Sequence, residues 1–288
     1  MLAEQAVSGP RTVVQASGVE LAVASNVACV RTGPEVYCWG ANYFDPTSSE
    51  QCRRQWNDVD YPCHRVPTRV VFRDDVSAGP AGFTRIEAGV ETVCGILESS
   101  RAVCWGYGLH GGLGDGTTEM SDSPRLVRDL GGIVDLAVGS AHACALTNDH
   151  VVYCWGRNID GELGDGTQTD RAVPGRVEGL PPVIEVVAGG YHTCAWTSEG
   201  ELWCWGDNGY GQLGVEGPND QHAPIRVPGI PPVVEISTDT QEACARTATG
   251  EVWCWGDGDL GQIGDGHLES RRAPTRAVMP QGLDLAER

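Results

Sequence analysis

The side chains with the widest chemical reach in this chain are its twelve cysteines. Ten of them form five pairs in sequence: Cys29 with Cys38, Cys94 with Cys104, Cys144 with Cys154, Cys194 with Cys204 and Cys244 with Cys254. Trp-Gly follows the second cysteine of every pair, at Trp39, Trp105, Trp155, Trp205 and Trp255. The other two, Cys52 and Cys63, share one stretch. Thiolate zinc sites usually carry Cys-x-x-Cys knuckles, and that spacing is absent here. An even count with regular local spacing instead reads as a disulfide framework formed in an oxidising compartment. No metal site and no cofactor is expected.

Other candidates resolve into structural chemistry. His142 and His192 stand two residues before their cysteines, where other copies carry Thr92 and Glu242; spread one per copy, they suit hydrogen bonding rather than a shared metal. His110, His222 and His267 read as loop residues. Asp115, Asp165, Asp265, Asp207, Asn208 and Asp257 sit in glycine-rich turns. Each turn offers too few oxygens for calcium, so turn-capping is the expectation. A nucleophile elbow, a His-Glu-x-x-His helix and dinucleotide glycines are missing, and Gly108 to Gly116 follows a strand with no helix behind it. No catalytic residue is assigned, although carboxylates from different repeats could still meet in a central tunnel.

One stretch has the composition of a binding site. Ala41 to Arg65 holds Tyr43, Phe44, Arg53, Arg54, Trp56 and Tyr61 beside the pair Cys52–Cys63. Aromatics with arginine are hot-spot chemistry, and a disulfide would preorganise them. The same stretch could instead cover a sheet edge or fill the mouth of the fold.

Net charge is -19 and the isoelectric point about 4.6. Such a surface repels nucleic acid and anionic membranes. All 20 basic residues are arginine, which excludes a Schiff-base or P-loop lysine. No apolar run approaches the ~20 residues of a membrane helix. Met1 to Pro10 lacks the basic start and apolar middle of an export signal, so an exported form would carry that signal elsewhere.

These residues must be positioned by repeated elements. Cys94, Cys144, Cys194 and Cys244 fall at a 50-residue step, the mark of stacked units that cannot bury an apolar face alone. Each unit has four short apolar runs, typified by Ile133–Gly139, the two cysteine-bearing runs, and a run after proline such as Pro224–Val227. Pairing Cys194 with Cys204 also pairs Trp196 with Leu202. It leaves the three-residue turn Ser198-Glu199-Gly200, whose last residue needs a left-handed backbone. In the first copy the cysteines are one residue closer, and a Gly33-Pro34 turn keeps them opposed. Strand alternation puts Leu202 and Cys204 on one face and Trp203 and Trp205 on the other. The repeated tryptophans are therefore expected to pack between units. Four strands per repeat without helices predicts an all-β propeller of four-stranded blades. One domain, 1–288, holds five complete repeats (about 19–84, 85–132, 133–182, 183–232 and 233–282, with the insertion at 41–65). Pro10–Val14 and Leu283–Glu287 read as partial terminal units, either of a small closed propeller or of a longer array.

Three recurring elements, Gly-x-x-His-x-Cys-Ala-x-Thr, Trp-Cys-Trp-Gly and Gly-x-Leu-Gly-Asp-Gly-Thr, resemble RCC1 repeats (regulator of chromosome condensation 1) over residues 19–280. The resemblance implies a β-propeller, usually seven-bladed. Cysteine at both hairpin positions is similar to secreted bacterial members. Functions in that family include nucleotide exchange on a small GTPase, β-lactamase inhibition, ultraviolet sensing and scaffolding, and fold alone does not choose among them. Exchange belongs to reducing compartments, at odds with paired cysteines. The reading is a secreted or surface-displayed scaffold that binds another protein through propeller-face loops. A carbohydrate-binding or enzymatic site at the tunnel mouth, and a structural segment of a larger surface protein, are the alternatives.

Overall fold

A computed structural model describes residues 19–23, 27–41, 51–53, 60–72, 82–90, 92–217 and 219–280. The first blade contains β1 (Val19–Val23), β2 (Val27–Thr32), β3 (Glu35–Ala41), β4 (Gln51–Arg53) and β5 (Asp60–Arg69). The second runs through β6 (Phe83–Ala88), β7 (Thr92–Leu97), β8 (Ala102–Gly106) and β9 (Ser121–Leu126). The third has β10 (Ile133–Val138), β11 (His142–Thr147), β12 (Val152–Gly156) and β13 (Arg171–Arg176). The fourth has β14 (Glu185–Ala188), β15 (His192–Trp196), β16 (Leu202–Gly206) and β17 (Gln221–Arg226). The fifth has β18 (Val233–Thr238), β19 (Glu242–Thr247), β20 (Val252–Gly256) and β21 (Arg271–Arg276). Blades 2 to 5 are antiparallel meanders; in blade 1, β5 takes the fourth place and β4 adds a fifth strand outside it.

The hairpin register follows from the cysteines. Cys29 faces Cys38, Cys94 faces Cys104, Cys144 faces Cys154, Cys194 faces Cys204 and Cys244 faces Cys254. All five pairs are disulfide-bonded at a Cα separation of 4.1 Å, the close approach of a non-hydrogen-bonded antiparallel pair. Gly200 and Gly250 close their turns at φ 78° and 80°. At the same turn position blades 2 and 3 force Ser100 and His150 to φ 56° and 64°, a conformation that normally disfavours a side chain. The fourth strands begin earlier than their prolines suggest: Pro124, Pro174 and Pro224 are the fourth residues of β9, β13 and β17. Each lies beside a register shift against the third strand, where a missing N–H is tolerated.

The cores lie between blades. The cysteine face of one blade packs on the tryptophan face of the next. Cys144, Leu146, Val152 and Cys154 of blade 3 share a cluster with Val186, Ala188, Ala195 and Trp205 of blade 4. The same arrangement joins blades 1 and 2, 2 and 3, and 4 and 5. Trp155, Trp205 and Trp255 are fully buried. Their indole N–H groups donate to Gly112 O (3.1 Å), Glu162 O (2.8 Å) and Gln212 O (2.9 Å), all in the preceding blade's Gly-rich return. The glycine closing that return is required by contact: a Cβ on Gly164 would sit 2.8 Å from Trp205 Nε1. Blade 1 carries the insertion instead of such a return. There Trp105 meets Phe83 edge-on at 6.0 Å, and Phe83 stacks on Phe72 at 5.4 Å. Trp39 lies on the outward face of blade 1 and is partly exposed, with no blade against it among the described residues.

Candidate functional site

Three regions bear on function: the axial edge formed by the first strands, the returns between third and fourth strands, and the insertion. The first strands of consecutive blades touch one another, from β1 through β6, β10 and β14 to β18, so they share the axial side of the blades. Within its first three residues each first strand carries a charge: Glu20, Arg85, Asp135, Glu185 and Glu235. Some of these side chains join blades. Glu20 accepts Arg31 Nε–H (2.8 Å) and the Ile86 N–H of blade 2 (3.1 Å). Asp135 accepts the Val186 N–H of blade 4 (3.1 Å) and its neighbour Leu136 N–H (2.8 Å), and pairs with Arg85. Arg85 also holds Glu87 at 3.0 Å.

Burial opposes the Arg85 charge, but Asp135 and Glu87 more than offset it and hold the guanidinium above its usual value. Burial raises Asp135 despite Arg85 and the two N–H donors. Partial burial and then the negative charge of Asp135 push the Glu185 carboxyl up to about 7, against the pull of Arg85. Above this constellation Val134, Ile184 and Val234, at the start of three first strands, are 53%, 47% and 43% exposed. The register slips beside Val134 and Val234, which turns a side chain out of the inter-blade core.

At the other end of the blades, the returns are braced from within and from the next blade. Asn158 donates to Asp165 Oδ1 and Thr167 O and accepts the Leu163 N–H. Its backbone N–H donates to Asp170 Oδ1 at 2.8 Å. Asn208 repeats the pattern on Gly217, Leu213 and Asp220. Glu162, Gln212 and Gln262 fold back to accept the N–H of Asp160, Tyr210 and Leu260 at 2.9 Å each. Gly111, Gly161 and Gly211 pack on the Cα atoms of Ala172, His222 and Arg272 in the following blade. Arg157 pairs with Asp160 and Glu162 and lies 4.5 Å from the Tyr191 ring centroid. Asp115 and Asp165 accept the N–H and hydroxyl of Thr117 and Thr167, and Asp265 accepts the His267 N–H. These carboxylates are thus used by their own turns. His142 Nε2 lies 3.0 Å from Thr193 Oγ1 of the next blade, a structural contact. His110 Nδ1 reaches Asp170 Oδ2 at 2.6 Å across blades 2 and 3.

In the insertion, β4 pairs with the start of β5, Cys52 opposite Tyr61 and Arg53 opposite Asp60. Cys63 is fully buried and disulfide-bonded. Tyr43, Phe44, Arg54 and Trp56, and the side chains of Cys52, Arg53 and Tyr61, lie outside what the structure describes. Turn-capping by the Asp and Asn residues of the returns was expected from sequence, whereas the Arg85–Asp135 pair between blades and the bracing of each return by the next blade were not. The signal for the axial charges was a charged residue near the start of every first strand.

Comparison with known proteins places the chain. RCC1 repeats (Regulator of chromosome condensation (RCC1) repeat) are recognised at residues 103–146, 149–196, 199–238 and 249–285, more than half of the chain. A second form of the repeat matches 133–162 and 183–212. Curated protein sequences give no match. Among solved structures, Prp20p from Saccharomyces cerevisiae superposes with a TM-score of 0.76 at 20% identity, over 94% of this chain and 64% of that one. Yeast RCC1 (Prp20) with Kap60 gives 0.76 at 19% identity, over 91% and 61%. Human WBSCR16 gives 0.73 at 21% identity, over 91% and 68%. The chain therefore spans less than two thirds of the yeast protein's length. With the blade order, the inter-blade tryptophans and the repeat matches in agreement, this chain belongs to the RCC1 repeat family.

Proposed function

We propose that the protein is a non-catalytic scaffold that binds another protein through the loops of one propeller face, outside the cell or on its surface. The observation that carries this reading is the bracing of the returns: side chains, backbone carbonyls and the adjoining blade hold each loop in place. Preordered loops lose little entropy on docking, which favours a broad protein interface. The disulfide in every hairpin supports an oxidising location. Structural relatives lend the protein-binding part: Prp20 is described in complex with Kap60 and for its binding to Gsp1p and histones. The aromatic and arginine residues of the insertion, Trp56 first, are the remaining contact candidates. Affinity capture from the medium around the source cells tests the reading. A stoichiometric protein partner, lost with Trp56→Ala, is expected; turnover or glycan binding with no protein partner would sink it.

A second reading rests on the axial charges. A carboxyl held near pH 7 beside the Arg85–Asp135 pair suits an enzymatic or carbohydrate site at the tunnel mouth. Loss of turnover or glycan binding in Glu185→Gln would favour it.

A further inference from the structure

The loop apices of blades 2 to 5 share a property that the fold does not require. Each apex presents one large apolar side chain to solvent: Leu109 at 41% exposure, Ile159 at 49%, Tyr210 at 44% and Leu260 at 79%. The apex lies one residue earlier in blades 2 and 3 than in blades 4 and 5, yet every return has one. Single exposed apolar residues are ordinary. Recurrence at the apex of four braced turns is a pattern, because the bracing uses the backbone N–H and the glycines and makes no use of the apex side chain.

The ground around these apices is acidic. Asp160, Asp207 and Asp220 crowd one another beside Ile159 and Tyr210. Burial pushes Asp207 up, and the charges of Asp220 and Asp160 push the same way. At the foot of the blade 5 return, where Glu242 lies opposite Gly256, burial raises Glu242 and the charges of Asp239 and Asp257 add to it. The nearby arginines are already engaged. Arg157 serves Asp160, Glu162 and the Tyr191 ring. Arg272 donates to the Asn208, Gly209 and Gly217 carbonyls.

We propose that this face docks a partner protein through a segment in which basic residues alternate with large apolar ones. The apolar side chains would meet the apices of blades 3, 4 and 5, and the basic groups the carboxylates between them. The proposal rests on the scaffold reading and adds the face and the chemistry of the ligand. A second copy of the chain does not fit, because it brings the same net charge of -19 to an interface that already repels anions. An anionic lipid surface fails for the same reason.

A phage-displayed library of short random peptides, panned on the immobilised full chain, tests this. Enriched clones should carry arginine or lysine with leucine, isoleucine or aromatics. Their binding should weaken as salt rises. The triple variant Ile159→Ser, Tyr210→Ser, Leu260→Ser should bind them at least about tenfold more weakly. The control Val134→Ser, Ile184→Ser, Val234→Ser, on the opposite end of the blades, should bind as before. All six positions are exposed, and unchanged thermal midpoints will show that both variants fold. No enrichment, acidic or uncharged clones, or equal binding by the triple variant overturns the proposal. A native partner captured equally by wild type and the triple variant also overturns it while leaving the scaffold reading intact. Glycan binding or turnover with no protein partner removes the scaffold reading itself.

Discussion

Blades 3 and 5 are made from the same four strands, the same staple and the same Trp-Gly, yet their cysteine faces differ in kind. Blade 3 presents Ala137, Cys144 and Leu146, all buried under blade 4. At the matching positions blade 5 presents Ser237, Cys244 and Arg246, none fully buried, with Arg246 on Glu235 at 2.8 Å. Gly139 and Gly189 have no room for a Cβ, which would strike the same blade's His142 or His192 ring and the next blade's backbone oxygen; blade 5 carries Asp239 there, with Glu242 in place of the histidine. Strand architecture therefore comes from the hairpin, and burial comes from the neighbour. The two properties vary independently from blade to blade, since blade 5 keeps the hairpin while carrying polar residues on that face.

Substitutions at matched positions test this contrast, beginning with the largest effect. Leu146→Arg places an unpaired charge in a dry junction and should destabilise by about 4 kcal/mol or prevent folding. Arg246→Leu should shift stability by less than about 1 kcal/mol, since its ion pair with Glu235 is partly exposed. Urea denaturation of both variants measures the difference; similar losses would erase the distinction between the faces. Next come the return glycines. Gly164→Ala meets both an unfavourable φ of 65° and the Trp205 indole, together about 3 kcal/mol. Gly264→Ala meets φ 72° but has 3.5 Å to its nearest neighbour, so only the backbone part, about 1–2 kcal/mol, should appear. Equal losses would mean that the indole contact contributes nothing.

Glu185 gives a smaller, pH-dependent effect. Its folded carboxyl titrates at about 7 against an ordinary 4.5. The folded state therefore binds the extra proton between those values, and stability from this group falls as pH rises through the window. Glu185→Gln should match wild type near pH 4 and exceed it by about 1 kcal/mol at pH 8, after allowance for solvent screening. A constant difference across pH would refute the assignment. The smallest effect is kinetic. Cys194 and Cys204 are fully buried, whereas Cys244 is partly exposed. Mild reductant without denaturant should open Cys244–Cys254 first, as read by mass mapping of alkylated peptides. Prior opening of Cys194–Cys204 would contradict the exposed face.

Much of this fold was legible because the cysteines calibrate it. A pair ten apart can oppose only in one register, and that register decides which face holds Leu202 and which holds Trp205. The nine-residue spacing of Cys29 and Cys38 then had to come with a shorter turn, and Gly33-Pro34 supplied it. The axial charges were harder to read. Asp135 and Arg85 are 50 residues apart and meet because first strands crowd the axis, which depends on how blades stack. The apolar apices escaped for a different reason: their one-residue offset between blades hides them when the repeats are aligned on Trp-Gly. The insertion breaks the repeat, and with it the reasoning by analogy that served elsewhere.

The staples of the five hairpins share one more property: each closes a loop of nine or ten residues within a single blade. A mismatched bond between neighbouring blades would have to close a loop several times longer and bear a larger entropic penalty. The correct pairing is thus also the one with the lowest closure cost, so each hairpin selects its own partner cysteine without help from the rest of the propeller.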